Sequence, residues 1–209
     1  MLYLSDGNII KEGTVSAKNG DSSHQYRDII EPVWNLSKSE KNDIYQAIAK
    51  KQVDIIVGDA FLHRMFSIRI AVGLIKELRN IYTFNIESIE FQIRNNRRQC
   101  NNRDWTIDSY ASQNFDSEAR AEEYIEDDCK KILGIIPTIS DTLTHHRFLL
   151  IKTEDGYTFE IRPDHGFGGG WRTNIRFKNV EDNKPISFRR FPSEEVIKYY
   201  FLLKRRDNR

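Results

Sequence analysis

A strand, a helix and a second strand follow one another between residues 53 and 93, and this order constrains the fold of the chain most. The run VDIIVGDAFL (53–62) is apolar and rich in β-branched residues, which is typical of a strand buried on both faces. Apolar residues then recur at helical spacing over 67–81, and IESIEFQI (86–93) alternates between apolar and polar. Because a helix connects them, the two strands are expected to pair in parallel through a right-handed crossover.

Two further helices are predicted beside this unit. Ser37 and Glu40 have the spacing of a capping box, so a helix is expected over 38–50. Another helix is expected to begin at Asp116 and to end at Gly134, since glycine is the common residue after a helix. The sequence thus predicts an α/β fold in which helices flank the sheet.

The remaining segments are predicted as hairpins and a last helix. HRFLLIK and YTFEIR flank a turn at Glu154-Asp155-Gly156, and an antiparallel hairpin here would make the sheet mixed. Short strands are predicted in TNIRFK (173–178) and ISFRRF (186–191). A final helix is predicted after Ser193, with four residues facing inward: Val196, Ile197, Tyr200 and Phe201. The division predicted is an N-terminal hairpin and extension over 1–36, with a turn at Asp6-Gly7, and one α/β domain over 37–209.

Charge and cysteine content limit the classes of function. The 209 residues carry a formal net charge of +1, so any anion site must be local rather than the result of a global field. Cys100 and Cys129 lie far apart without metal-ligand spacing, which favours reduced thiols in a cytosolic protein. The sequence begins without the pattern of a signal peptide, and its apolar stretches are shorter than the ~20 residues that span a bilayer. We expect a cytoplasmic protein without a transmembrane segment.

Histidines concentrate near one predicted strand. His145, His146 and Arg147 stand immediately before the apolar run 148–151, and His165 follows the next strand. A histidine at a sheet end can bind substrate or attack phosphorus, while its neighbour in the strand points the opposite way. Equally, both imidazoles can cap the strand by hydrogen bonding to backbone carbonyls. The pattern alone leaves both interpretations open.

The segment HHRFLLI, followed by Asp155-Gly156-Tyr157 and then by PDHGF (163–167), resembles the signature segment of the phospholipase D-like superfamily. It is similar to the HDRFLII variant of stand-alone bacterial members and, more distantly, to the phospholipase D-like C-terminal domain of MIT-domain proteins. The preceding order of strands and helices also suits that fold. The resemblance covers roughly residues 50 to 175.

The resemblance implies a phosphodiesterase or nuclease that uses a phosphohistidine intermediate. His145 matches the nucleophile, Arg147 replaces the lysine that holds phosphate, and His146 or His165 is the candidate acid. The acidic position of the motif is occupied by Lys152, which departs from the family. With one motif per chain, an active member would need a homodimer. Stand-alone relatives are implied to act in prokaryotic antiviral defence, and no cofactor is expected.

The glycine-rich segment PDHGFGGGWR (163–172) is a second candidate phosphate site. The backbone N–H groups of its glycines could bind an anion, and Arg172 could add charge. These glycines are Gly166, Gly168, Gly169 and Gly170, and Arg162, directly before the segment, is a further candidate phosphate ligand. It is neither a Walker loop nor a dinucleotide fingerprint. The competing interpretation is a loop held in place by Phe167 and Trp171. We predict no metal site.

A third candidate is the arginine-rich segment RNNRRQCNNRDW (94–105). Arg94, Arg97, Arg98 and Arg103 could contact phosphates, and Trp105 could stack on a base. A solvated loop is the alternative explanation. Together these features predict a phospholipase D-like protein that binds, and in one interpretation hydrolyses, a phosphodiester, with nucleic acid as the preferred ligand. The rivals are a noncatalytic module that recruits a protein partner or a phospholipid headgroup, and a structural subunit of a larger complex.

Overall fold

The structure is a computed structural model that describes residues 3–5, 8–15, 23–24, 37–59, 62, 65–93, 118–142, 146–163, 166–167, 171–173, 188–190 and 197–205. The helices are α1 (Lys38–Ile48), α2 (Met65–Tyr82) and α3 (Glu118–Leu133). The strands are β1 (Tyr3–Ser5), β2 (Asn8–Val15), β3 (Ser23–His24), β4 (Gln52–Gly58), β5 (Asn85–Gln92), β6 (Thr138–Ser140), β7 (Phe148–Thr153), β8 (Tyr157–Pro163), β9 (Trp171–Thr173), β10 (Phe188–Arg190) and β11 (Ile197–Arg205). The predicted α/β class, with a mixed sheet flanked by helices, is confirmed.

The main sheet has the order β1-β2-β11-β8-β7-β4-β5-β6. β4, β5 and β6 are parallel neighbours, as expected for strands joined by the helices α2 and α3. All other pairings in this sheet are antiparallel. A separate sheet of three short strands has the order β3-β10-β9.

One hydrophobic core joins the helices to one face of the sheet. Alternate residues of the central strands are buried against it, as the period of two in a strand requires: Val53, Ile55, Val57, Leu149, Ile151, Phe159 and Ile161. Helix α1 contributes Ile44, Ala47 and Ile48 to the same core. Its predicted capping box is confirmed, because the Ser37 hydroxyl accepts the Glu40 N–H and the Glu40 carboxylate accepts the Ser37 N–H.

The predicted final helix is wrong, because residues 197–205 form strand β11. This strand lies between β2 and β8 and pairs with both. Its successive residues Phe201, Leu202 and Leu203 are all buried, which requires cover on both faces of the strand. A short apolar run of this kind satisfies the helical pattern as well as the pattern of an interior strand. The aromatic and branched side chains of YYFLL favour the strand.

The N-terminal residues contain the predicted hairpin strands, since β1 pairs with β2 in antiparallel register. β2 also pairs with β11 along seven residue pairs, from Ile197↔Val15 to Leu203↔Ile9. The hairpin therefore extends the main sheet at one side. The domain boundary after residue 36 stays a prediction.

The strands give the sheet two distinct ends. At the carboxyl end, defined by Gly58 of β4, the partners across the sheet are Gln92 of β5 and Phe148 of β7. At the amino end lie Gln52 of β4 and the β7–β8 turn. The two ends are about 20 Å apart, the length of a seven-residue strand. Among the described helices, none has the length and apolar character needed to cross a membrane.

Candidate functional site

All three segments singled out in the sequence meet the sheet at its carboxyl end. The arginine-rich segment follows β5, which ends at Gln92, and the histidine pair precedes β7, which begins at Phe148. The glycine-rich segment continues from β8, which is parallel to β4 because both are antiparallel to β7. Segments far apart in sequence are thus attached to neighbouring strand ends, where open α/β sheets commonly bind ligands.

Asp59 is a buried polar residue at this end of the sheet. It directly follows β4, is 0% exposed, and its Oδ2 accepts the N–H of Phe167 at 2.7 Å. The carboxylate also lies against Gly166, where an added Cβ would be 2.6 Å from Oδ2. Gly166 has φ of +75°, a conformation that favours glycine. The turn after β8 is therefore built around the Asp59 carboxylate.

Three predicted site residues have described side chains. His146 is exposed and Arg147 is half-buried at the entry to β7. Arg162 is exposed on β8, and its guanidinium makes two hydrogen bonds to Glu160, Nε to Oε1 at 2.5 Å and Nη2 to Oε2 at 3.0 Å. A phosphate at Arg162 would have to compete with this carboxylate, which weakens the case for Arg162 as an anion ligand.

The other predicted site residues give no side-chain geometry. Arg172 lies in β9, of which the backbone pairing with β10 is described. The residues outside the described part of the chain are His145, His165, Gly168, Gly169, Arg94, Arg97, Arg98, Arg103 and Trp105. The roles assigned to all of these residues in binding stay predictions.

Two findings concern metal-ligand and thiol side chains among the described residues. Among the described residues, no three histidine, cysteine or acidic side chains are grouped so that they could hold a metal ion. Cys129 is a buried free thiol on α3, and burial together with the charge of Asp128 raises the pKa of this thiol to about 12. A thiol in this state is a core side chain rather than a nucleophile.

Comparison with known families decides which family the chain represents. Residues 21–198 match the family described as "DEAD/DEAH box helicase YjiV, C-terminal domain". The chain belongs to this family. No curated protein sequence matches it.

The family match corrects the resemblance to the phospholipase D-like superfamily, which is wrong. The expectations of a phosphodiesterase or nuclease with a phosphohistidine intermediate, and of a role in antiviral defence, fall with it. So does the reason for expecting a homodimer, since the second chain was needed only to supply a second catalytic histidine. The misleading segment has a structural explanation: FLLI is apolar because β7 lies between β4 and β8 in the middle of the sheet. Lys152, where the motif has an acid, is an exposed residue of that strand.

Asp59 was not among the residues selected from the sequence. The signal was an acidic residue directly after a buried parallel strand, a position whose side chain faces the ligand-binding end of such sheets. Its partner could not be found in the same way, because Phe167 lies more than 100 positions away and the contact uses a backbone N–H.

Proposed function

We propose that this chain is the nucleic-acid-binding C-terminal domain of a DEAD/DEAH box helicase. It binds single-stranded nucleic acid at the carboxyl end of its sheet. The family name supplies the helicase, and a helicase acts on nucleic acid. The observation that carries the proposal is the convergence of the arginine-rich, histidine and glycine-rich segments on neighbouring strand ends. An intracellular location follows from such a role.

The anchor points of these segments support a common surface. The Ile93 N–H donates to the Ser140 carbonyl at 2.8 Å, so the residue before Arg94 is fixed beside β6. Arg147 precedes β7, two strand spacings or about 10 Å from β5. We therefore propose that arginines attached to these two strand ends contact the same single strand of nucleic acid.

The residue types fit a single strand better than a nucleotide. Guanidinium groups bind phosphate oxygens in a bidentate manner, and Trp105 offers a face on which an unpaired base can stack. The glycine-rich segment lacks the Lys-Ser/Thr of a nucleotide-binding loop, so we assign it the phosphate backbone rather than ATP. With a net charge of only +1, the affinity must come from this local cluster.

The test is fluorescence anisotropy with a labelled oligo(dT) single strand, and with a duplex of the same length, over a series of salt concentrations. We expect binding of the single strand, with a plot of log K against log[salt] of negative slope. The double variant Arg97→Glu/Arg98→Glu should weaken binding and reduce the slope by about one unit per lost phosphate contact.

The matched control is Lys76→Glu/Lys130→Glu, which makes the same change of charge at exposed positions on α2 and α3. This control should bind almost as the natural chain does, because both lysines lie on helices and outside the three segments proposed to contact nucleic acid. Equal loss of affinity in both double variants would show that binding reflects net charge alone. Absence of binding to either oligonucleotide at low salt would reject the proposal.

A further inference from the structure

We infer that Asp59 is a positioning residue for nucleic-acid binding. Its carboxylate holds Gly166 and Phe167 in place, and this contact positions the glycine-rich segment for binding to the nucleic-acid backbone. The inference rests on the proposed function, and it assigns a role to a residue that does not touch nucleic acid. Because Asp59 is 0% exposed, its carboxylate is closed to a phosphate. Its charge would in any case repel one.

The geometry shows what the carboxylate does instead. Asp59 belongs to the end of β4, whereas Phe167 follows β8, and β7 lies between these two strands. Their contact therefore spans two strand spacings, about 10 Å, so the chain after β8 turns back across the beginning of β7. Arg147 stands at that same beginning. The hydrogen bond thus brings Gly166 and Phe167, which belong to the glycine-rich segment, toward the beginning of β7, where Arg147 lies.

Two further features lock the same turn. Phe167 is 0% exposed and belongs to the hydrophobic core, so the packing of its side chain also holds the turn in place. Gly166 provides the close approach that the carboxylate needs, since any Cβ would meet Oδ2 at 2.6 Å. A charged acceptor makes a stronger hydrogen bond to a backbone N–H than a neutral one does. Asp59 therefore fixes the backbone at Gly166 and Phe167, within the glycine-rich segment.

The experiment compares Asp59→Ala and Asp59→Asn with the control variant Asp155→Asn. Asp155 accepts hydrogen bonds in the β7–β8 turn, at the amino end of the sheet. All proteins are studied as the full chain, at a temperature where circular dichroism shows each to be folded. The readouts are the Kd for oligo(dT) and hydrogen exchange at the Phe167 amide. We expect Asp59→Ala to raise the Kd about tenfold, the loss of one charge-assisted contact to phosphate. Asp59→Asn, which can still accept the N–H, should recover most of the affinity, and Asp155→Asn should bind normally.

The outcomes separate this inference from the proposed function. If the natural chain binds oligo(dT) and folded Asp59→Ala binds equally well, the inference is overturned and the proposed function stands. If the natural chain does not bind, both fail. A Phe167 amide that exchanges in the natural chain as fast as a fully exposed amide would overturn the inference even if the variants do not fold, because the hydrogen bond would then be absent.

Discussion

The Nη2 of Arg69 lies 2.7 Å from the Oδ1 of Asp128, and this ion pair connects α2 to α3 inside the protein. The two side chains are only 9% and 4% exposed. The same Nη2 donates a hydrogen bond to the Tyr124 hydroxyl at 3.2 Å. Taking two charges out of water has a large desolvation cost, so the pair stabilises the packing of the helices only while both partners are present.

Removal of one partner should therefore be much worse than removal of both. Asp128→Ala leaves the Arg69 charge buried, and we expect a loss of about 3–5 kcal/mol in the free energy of unfolding, measured by urea denaturation. Asp127→Ala, the exposed neighbour, should change stability by less than about 0.5 kcal/mol. The double variant Arg69→Met/Asp128→Leu should regain most of the loss. A double variant at least as unstable as Asp128→Ala would contradict a coupled pair.

The reactivity of the buried Cys129 thiol measures how often α3 becomes exposed to solvent by unfolding. Burial and the neighbouring Asp128 raise the pKa of Cys129 to about 12, so almost no thiolate is present at pH 8. In a Cys100→Ser background, we expect Cys129 to react with a disulfide reagent only as fast as the protein unfolds. The rate should rise with urea along the unfolding curve. Fast labelling of the folded protein in buffer would contradict the burial of this thiol.

Much of the fold was predictable because local patterns and tertiary environment agree in these segments. The alternating run that contains Phe91 and the helical spacing after Met65 each describe one face packed on the core, and the capping box at Ser37 marks the start of α1. The final strand was mistaken for a helix because β11 is covered on both faces, and a run such as YYFLL then carries no alternation. Periodicity identifies elements with one buried face and fails for elements with two.

The site was less predictable for a different reason. The short motif HHRFLLI resembled a family that the chain does not belong to. Polar residues before an apolar interior strand are common in sheets of many families, so the motif is not specific. The position of the three segments at one end could be derived from the parallel unit and the hairpin. The role of Asp59 could not be derived, because it depends on a hydrogen bond between its side chain after β4 and the Phe167 N–H after β8. Sequence patterns do not identify which backbone N–H a distant side chain will contact.

The turn between β7 and β8 should make stability depend weakly on pH. Partial desolvation disfavours the charged form of Asp155, but hydrogen bonds from Lys51 at 2.6 Å and Thr153 at 2.5 Å outweigh it and lower the pKa below its ordinary value of 3.8. The unfolded state therefore takes up the proton first as the pH falls. The stabilisation is complete above pH 3.8 and is lost as the pH falls through the folded pKa.

The test compares urea midpoints of the natural chain and Asp155→Asn from pH 7 to pH 3. Asp155 is half exposed, so water screens the pair and the difference at pH 7 should be below about 1 kcal/mol. That difference should shrink as the pH falls below 3.8. In a Lys51→Met background the shrinkage should be smaller, because one of the hydrogen bonds that lowers the pKa is gone. A difference that grows on acidification would contradict the assignment.

Alanine variants of Gly134 and Gly166 separate two reasons for glycine: the strain of a positive φ angle and the steric overlap of an added Cβ. They have nearly identical φ angles, +76° and +75°. An added Cβ at Gly134, which ends α3, would meet nothing within 4 Å, whereas at Gly166 it would lie 2.6 Å from Asp59 Oδ2. Gly134→Ala should therefore cost only the left-handed strain, about 1–2 kcal/mol. Gly166→Ala should cost that strain and, in addition, about 1–3 kcal/mol for the displaced carboxylate.

Removal of the carboxylate separates these two contributions to the cost at Gly166. Asp59→Ala/Gly166→Ala should be less destabilised than the sum of its single variants, because the alanine methyl group then occupies the space of the missing carboxylate. Asp59→Ala/Gly134→Ala should be additive, since Gly134 lies at the other end of the sheet from Asp59. Urea denaturation of the five variants and the natural chain gives both coupling energies. Equal coupling in the two pairs would show that Gly166 is required for its φ angle alone, and that the carboxylate has room to move.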